Sequence, residues 1–213
     1  VAIAAQHWVM PSPGFSLGTP FSLSSPEWRL RIDLRFISGT ADDSVVDEWS
    51  NILHYGDSQG AHHLGIWFKP SDGGARAAPG SPLRRPALRH LCVLTNQGQG
   101  DDVLVEGDIP NPAGSSSPGQ PRQRLADHTF TIELCVSGSC ATLICDGVVL
   151  GCRKHEEQQS GGGGGGLRFA PNQYLYCSDL YHCPAQVLVG NVVFCSPLQT
   201  SLAQLMACET EAD

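Results

Sequence analysis

Trp28-Arg29-Leu30-Arg31-Ile32-Asp33-Leu34-Arg35-Phe36 alternates without a break, five apolar side chains on one side and Arg, Arg, Asp, Arg on the other. Successive side chains in a strand point to opposite faces, so this stretch reads as a β-strand with one face buried and one wet. A sheet of such strands hides its apolar face only by stacking against a second layer. Short runs of the same kind recur outward from it, at 6–9, 50–55, 62–68, 90–95, 103–106, 128–136, 140–145, 148–152, 174–177 and 186–194, with the quoted strand itself reaching over 27–38. Turn residues separate them and helical periodicity is almost absent. The prediction is an all-β chain, folded as an antiparallel two-sheet jelly-roll sandwich.

The 24 glycines and 15 prolines point the same way, to turns rather than helices. A length of 213 residues suits one large all-β domain as well as two small ones. Because strands continue to residue 194, the expected organisation is a single sandwich over 1–199 followed by a tail or linker at 200–213. Gly/Pro-rich insertions at 71–86, 111–123 and 156–166 lack apolar content and read as lengthened surface loops. The run of six glycines at 161–166 has no following Lys-Ser/Thr and no helix N-terminus, so it does not read as a phosphate loop.

A net charge of −8 excludes nucleic acid and an anionic membrane surface as favoured partners, since both reward clustered Lys and Arg. Arg84, Arg85 and Arg89 cluster beside Pro86 and read as solvated loop charges. No apolar run approaches the ~20 residues of a membrane span, so no membrane insertion is expected. Nine cysteines without a C-x-x-C pair disfavour zinc and suit an oxidising compartment. A secreted or cell-surface setting is the expectation. The first residue is Val, which reads as a mature form or a segment of a longer protein.

Asp146-Gly147 between two apolar runs is a strong type I′ hairpin signal, because that turn needs positive φ at both central residues. It sets Cys145 opposite Val148, Leu143 opposite Leu150 and Ala141 opposite Cys152. A four-residue connection at 136–139 then sets Leu134 opposite Ala141, Ile132 opposite Leu143 and Phe130 opposite Cys145. The predicted inner face is Phe130, Ile132, Leu134, Ala141, Leu143, Cys145, Val148, Leu150 and Cys152. On the outer face this register puts Cys135 opposite Cys140, at a separation of about 4.5 to 5.5 Å that a disulfide spans. Cys177 and Cys183 enclose a short loop and form a second candidate pair, with a free buried thiol at either position as the alternative. Cys208 is the natural leftover.

Taken in order, the Trp28 strand, Trp49-Ser50-Asn51-Ile52-Leu53-His54-Tyr55-Gly56-Asp57, Leu64-Gly65-Ile66-Trp67-Phe68, the meander over 128–152 and the closing strand at 185–194 resemble the concanavalin A-like lectin and laminin G superfamily. The resemblance covers roughly 27–197 and rests on patterns rather than signatures. It implies a jelly-roll sandwich, often extracellular, that binds carbohydrate or protein at a concave face or at rim loops, sometimes with calcium. Glycan-cleaving enzymes on such a fold need two carboxylates about 5 to 5.5 Å apart for retaining hydrolysis. Asp33 is flanked on its face by Arg31 and Arg35, and Glu133 by Thr131 and Cys135. No strand offers the pair, and the chain reads as non-catalytic.

Asp42, Asp43 and Asp47, with Glu48 beside them, crowd one inter-strand loop and are the candidate calcium ligands; a solvated acidic loop is the other reading. Asp101 and Asp102 with Asn96 are a weaker set. His62 and His63 are strand neighbours facing opposite ways, so they cannot share a metal. The outer side of the Trp28 strand presents Arg29, Arg31, Asp33 and Arg35, a row able to meet sugar hydroxyls or an acidic partner. Trp67, pointing away from Leu64, Ile66 and Phe68, is the candidate stacking platform. Two functions fit these features. One is an extracellular recognition domain for a glycan or protein; the other is a structural module that packs against copies or neighbouring domains of a longer chain.

Overall fold

A computed structural model describes residues 8–23, 25, 27–37, 49–57, 62–69, 90–96, 101–110, 128–154, 169, 171–178 and 183–195. The strands are β1 (Glu27–Phe36), β2 (Ser50–Gly56), β3 (His62–Lys69), β4 (His90–Asn96), β5 (Asp101–Asp108), β6 (Thr129–Ser137), β7 (Cys140–Cys145), β8 (Val148–Lys154), β9 (Tyr174–Tyr176), β10 (Cys183–Pro184) and β11 (Val187–Cys195). They form the two packed sheets expected. A five-stranded sheet runs β11-β1-β6-β7-β8, and a six-stranded sheet runs β10-β2-β3-β4-β5 with β9 also on β2. Neighbours are antiparallel except β10, which joins β2 in parallel.

The alternation in β1 does what its pattern dictates. Trp28, Leu30, Ile32, Leu34 and Phe36 are all buried against the opposite sheet, where Ile52, Leu53, Tyr55, Leu64, Ile66, Phe68, Leu91 and Val93 meet them. Phe130, Ile132, Leu134, Ala141, Leu143 and Cys145 are buried beside them as predicted.

The β6–β7 register differs from the expectation by two residues. Gly138 takes a positive φ of 58° and closes a tight turn, so Ser137 rather than Cys135 pairs with Cys140 and opens the hairpin. A two-residue slip keeps every side chain on its face but changes its partner. Leu134 therefore faces Leu143, and Cys135 faces Thr142, which removes the geometric basis of the Cys135–Cys140 disulfide. The Asp146-Gly147 turn forms with both φ values positive, 48° and 77°. Beyond it β8 carries a bulge: Ile144 pairs with Val149 and Leu143 with Gly151, leaving Leu150 as the extra residue. An inserted residue turns the remainder of its strand to the other face. Cys152, expected inside, is exposed, and so is Val148, while Leu150 is only partly buried. Cys177 is buried and Cys183 is exposed on β10, and the two are not bonded to each other, so the second expected disulfide is not formed either.

The two long sides of the sandwich are closed differently. On one, β5 and β8 press together: a Cβ on Gly151 would lie 2.3 Å from the Glu106 carbonyl oxygen, and one on Gly107 would lie 2.6 Å from Leu150 Cβ. Arg153 Nη1 donates to the Val103 carbonyl across the same seam at 2.7 Å. On the other, residues 8–23 form a strap that passes from β11 to β9 through bridges Val9 to Val189, Ser16 to Tyr176 and Phe21 to Gln173. Phe21 and Leu23 dip into the core, and Tyr55 Oη fixes them by donating to the Phe21 carbonyl at 2.8 Å and accepting from Leu23 N at 3.3 Å. The expected strand at 6–9 survives only as the Val9 bridge within its described part.

Candidate functional site

The row expected on β1 stands on the outer face of the five-stranded sheet, and its members are largely committed to neighbours. Arg29 Nη2 donates to Glu133 Oε2 across β6. Asp33 is only 7% exposed and accepts from Thr131 Oγ1 at 3.0 Å and Asn191 Nδ2 at 2.7 Å. Arg35 donates to Thr129 Oγ1 and lies 4.7 Å over the Trp8 ring. Arg31 is exposed between them. This is a surface laced across strands β11, β1 and β6.

Trp67 lies on the opposite side of the molecule, on the outer face of the six-stranded sheet. It does point away from Leu64, Ile66 and Phe68, but it is 2% exposed. Its indole folds back over Gly65, where a Cβ would meet Nε1 at 2.3 Å, and it stands edge-on to Trp49 with centroids 6.3 Å apart. With Cys92, Leu94, Trp49 and Val103 it makes a second, smaller apolar cluster. The structure therefore does not bring Trp67 together with the Arg29 row.

Around that cluster the outer face of the six-stranded sheet has two polar ends. At one, Lys69, His90 and Asp108 share a row, and Glu106 Oε2 receives Lys69 Nζ at 3.5 Å and His90 Nε2 at 3.2 Å. Burial works to raise the Glu106 pKa, but the His90 hydrogen bond and the Lys69 charge outweigh it and hold the carboxyl below its ordinary value. Cys92, next to Glu106, is pushed up to about 12 by burial and by that negative charge.

The other end is aromatic. β9 pairs with β2 so that Tyr176 opposes His54 and Tyr174 opposes Gly56. The Tyr-x-Tyr alternation sends Leu175 into the core and both tyrosine rings outward, 5.8 Å apart. Tyr176 stacks on the His54 ring with centroids at 4.8 Å and planes 16° apart. Both tyrosines are partly exposed while His54 is buried beneath. Burial, the neighbouring Tyr174 and the charge of Asp57 all raise the Tyr176 pKa, so its hydroxyl stays a neutral donor and acceptor. Asn51 lies buried on β2, and its Oδ1 has no hydrogen-bond partner among the described residues. The alternation that placed β9 was legible in Tyr174-Leu175-Tyr176, but its pairing with His54, over 100 residues earlier, was not.

The acidic loop residues Asp42, Asp43, Asp47 and Glu48 lie outside the described residues, as do Arg84, Arg85, Arg89 and Cys208. Among the described residues no group of three His, Cys, Asp or Glu side chains is placed to hold a metal ion. No helix among the described residues is long and apolar enough to cross a membrane.

No family profile matches the chain, and no curated protein matches it in sequence. Solved structures do match its fold. The exoplasmic/lumenal domain of VIP36 in its Ca2+/Man-bound form is similar over 94% of this chain and 82% of its own, with a TM-score of 0.51 and 12% identity. The receptor binding domain of botulinum neurotoxin D is similar over 95% of this chain, with a TM-score of 0.50 and 9% identity. The chain spans less than half the length of that toxin domain, at 43%, and 34% of the type G receptor binding domain. At such identities the likeness is one of fold alone: an all-β sandwich.

Proposed function

We propose that this chain is a non-catalytic recognition domain of a secreted or cell-surface setting, binding a glycan or an extracellular protein at the aromatic end of its six-stranded sheet. The observation that carries this reading is the Tyr176 ring stacked on His54 with Tyr174 beside it. Rings held in fixed positions receive the apolar face of a sugar or side chain, while tyrosine hydroxyls meet its polar groups. The fold supplies a scaffold on which such sites are grafted and does not itself specify a ligand. Glu27, Asp33 and Glu133, the carboxylates on the outer faces of β1 and β6, are engaged by Ser137, by Thr131 and Asn191, and by Arg29, which supports a role without hydrolysis. Calcium at Asp42, Asp43 and Asp47 remains part of the proposal, as a rim-loop ligand set rather than as part of the aromatic site.

Glycan-array binding with and without EDTA, run on the wild type and on Tyr176→Ala, tests the reading. Loss of binding in the variant at unchanged Tm supports it. Binding that survives Tyr176→Ala but disappears with EDTA moves the site to the acidic loop, and binding that survives both but is lost on Arg31→Ala moves it to the Arg29, Arg31, Asp33 and Arg35 row. A second reading, a structural module packing on copies of itself, is favoured by one feature: Val148 and Val149, 56% and 59% exposed at the tip of sheet-edge strand β8. Sedimentation showing a stable oligomer abolished by Val149→Lys, with a blank array, would establish it.

A further inference from the structure

The register slip and the β8 bulge have an outcome on the outer face of the five-stranded sheet. They separate Cys140 from Cys135 and set it diagonally against Cys152, since Cys140 pairs with Lys154 and Thr142 with Cys152. Diagonal neighbours on one sheet face are within reach of each other's side chains. The two Sγ atoms are 3.4 Å apart, and Thr142 Oγ1 donates to Cys152 Sγ at 3.5 Å. Cys152 is exposed and Cys140 partly so.

We propose that Cys140 and Cys152 form a thiol–disulfide exchange site that takes small disulfides of the glutathione class and cycles between a dithiol and a cross-strand bond. A bond requires Sγ atoms about 2.05 Å apart, so the pair has to close by roughly 1.4 Å. Gly151 and Arg153 hold β8 against β5 on either side of Cys152, so the closure falls to rotation of the two cysteine side chains and to β7. The same face carries two more thiols. Cys135 is also a diagonal neighbour of Cys140, across β6, but among the described residues the Cys140 thiol makes its sulfur contact with Cys152. Cys195 lies further away, with Arg29 between it and Cys135, about two strand spacings or ~10 Å from β6 and more from β7 and β8, beyond the reach of a disulfide. Cys92, Cys145 and Cys177 are buried.

Roles are set by the local hydrogen bonds. The Thr142 hydroxyl and then the Cys140 thiol stabilise charge on Cys152 Sγ and hold its pKa below the ordinary thiol value, while Cys140 is held above it by the same bond to Cys152. Cys152 is therefore the attacking sulfur. Its thiolate attacks one sulfur of oxidised glutathione, forming a mixed disulfide and expelling one glutathione thiolate, which takes up the proton Cys152 released. Cys140, giving up its own proton, attacks Cys152 Sγ and expels the second glutathione. The two protein thiols lose two electrons and two protons, and one glutathione disulfide becomes two glutathione thiols.

The test incubates the full chain with oxidised glutathione, quenches by alkylation and reads the cysteine pairs by peptide mass spectrometry. The expected product is a Cys140–Cys152 link, two hydrogens lighter, that dithiothreitol reverses. Cys140→Ser is expected to stop at a glutathione adduct on Cys152, and Cys152→Ser to give neither link nor adduct at Cys140. Circular dichroism keeps the variants interpretable by reporting their sheet content. Full alkylation of both thiols after oxidation, or a link from either to Cys135 or Cys195, overturns the proposal, as does an adduct that gathers on Cys140 in preference to Cys152.

Discussion

Gly151 sits so close to the carbonyl oxygen of Glu106 that a Cβ there would approach it to 2.3 Å. The obstacle is backbone, in a strand of the other sheet, so nothing flexible yields. Gly151→Ala is expected to push β8 off β5 and to cost about 3 kcal/mol, the upper end of overpacking. Gly138→Ala is the contrast: open space surrounds it and only its positive φ of 58° resists, for about 1 kcal/mol. Urea titration of both variants reads the difference.

Asn191 joins β11 to β1 by donating to the buried Asp33 carboxylate, and it does so from a left-handed backbone with φ of 45°. Asn191→Ala loses the bond and keeps the strain; Asn191→Gly loses the bond and relieves the strain. Both are expected to destabilise, Ala by about 2 to 3 kcal/mol and Gly by about 1 to 2, a hydrogen bond to a charged group being worth the common part. Equal losses in thermal denaturation would show that the conformation contributes nothing.

Tyr55→Phe removes the hydroxyl that donates to Phe21 and accepts from Leu23, while leaving the ring packed on Phe21 at 5.0 Å. The expected cost is about 1 to 2 kcal/mol, set by the buried Leu23 N–H left unmatched, since the Phe21 carbonyl keeps its bond from the Gln173 amide at 3.0 Å. The loss falls on the strap, so limited proteolysis is expected to cut within residues 8–23 before it cuts elsewhere among the described strands.

Burial pushes the thiols of Cys92, Cys145 and Cys177 up to about 12 from an ordinary 9.0. The folded state keeps protons there that the unfolded chain gives up, so the stability these neutral thiols contribute is complete below pH 9 and is lost as pH rises toward 12. Urea midpoints measured from pH 8 to 11 are expected to fall, with a shallower slope in Cys177→Ala. At pH 8 a soluble alkylating reagent is expected to label the exposed Cys152 and to spare these three.

The sheets were legible wherever one face is greasy and the other polar. β1, β6 and β7 read out to within a residue or two because each alternates over its whole length, and slipping by one would bury Arg29 or Glu133. The pattern has period two, however, and a slip of two satisfies it equally, which is why only the tight Gly138 turn distinguishes Cys140 facing Ser137 from Cys140 facing Cys135. The β8 bulge was invisible for a related reason. Val148-Val149-Leu150 is apolar at each position, so nothing in it marks which residue is extra. The strap has no alternation at all, its order coming from single bridges to distant strands. The aromatic site was half legible: Tyr174 and Tyr176 share a face by their spacing, whereas the stacking of Tyr176 on His54 depends on a long-range pairing that local sequence does not encode.

Val9 hydrogen-bonds to Val189 in both directions at 2.8 Å, a partner 180 positions later in the chain. On a ribosome the early half of this clasp emerges long before its counterpart exists. Contacts between such remote segments carry a high loop-closure cost and form slowly. The last event in maturation is thus expected to be the threading of an old segment onto newly made margins, and until then Phe21 and Leu23 stay uncovered. That interval is when a nascent molecule is most exposed to holdases, proteases and its own kind.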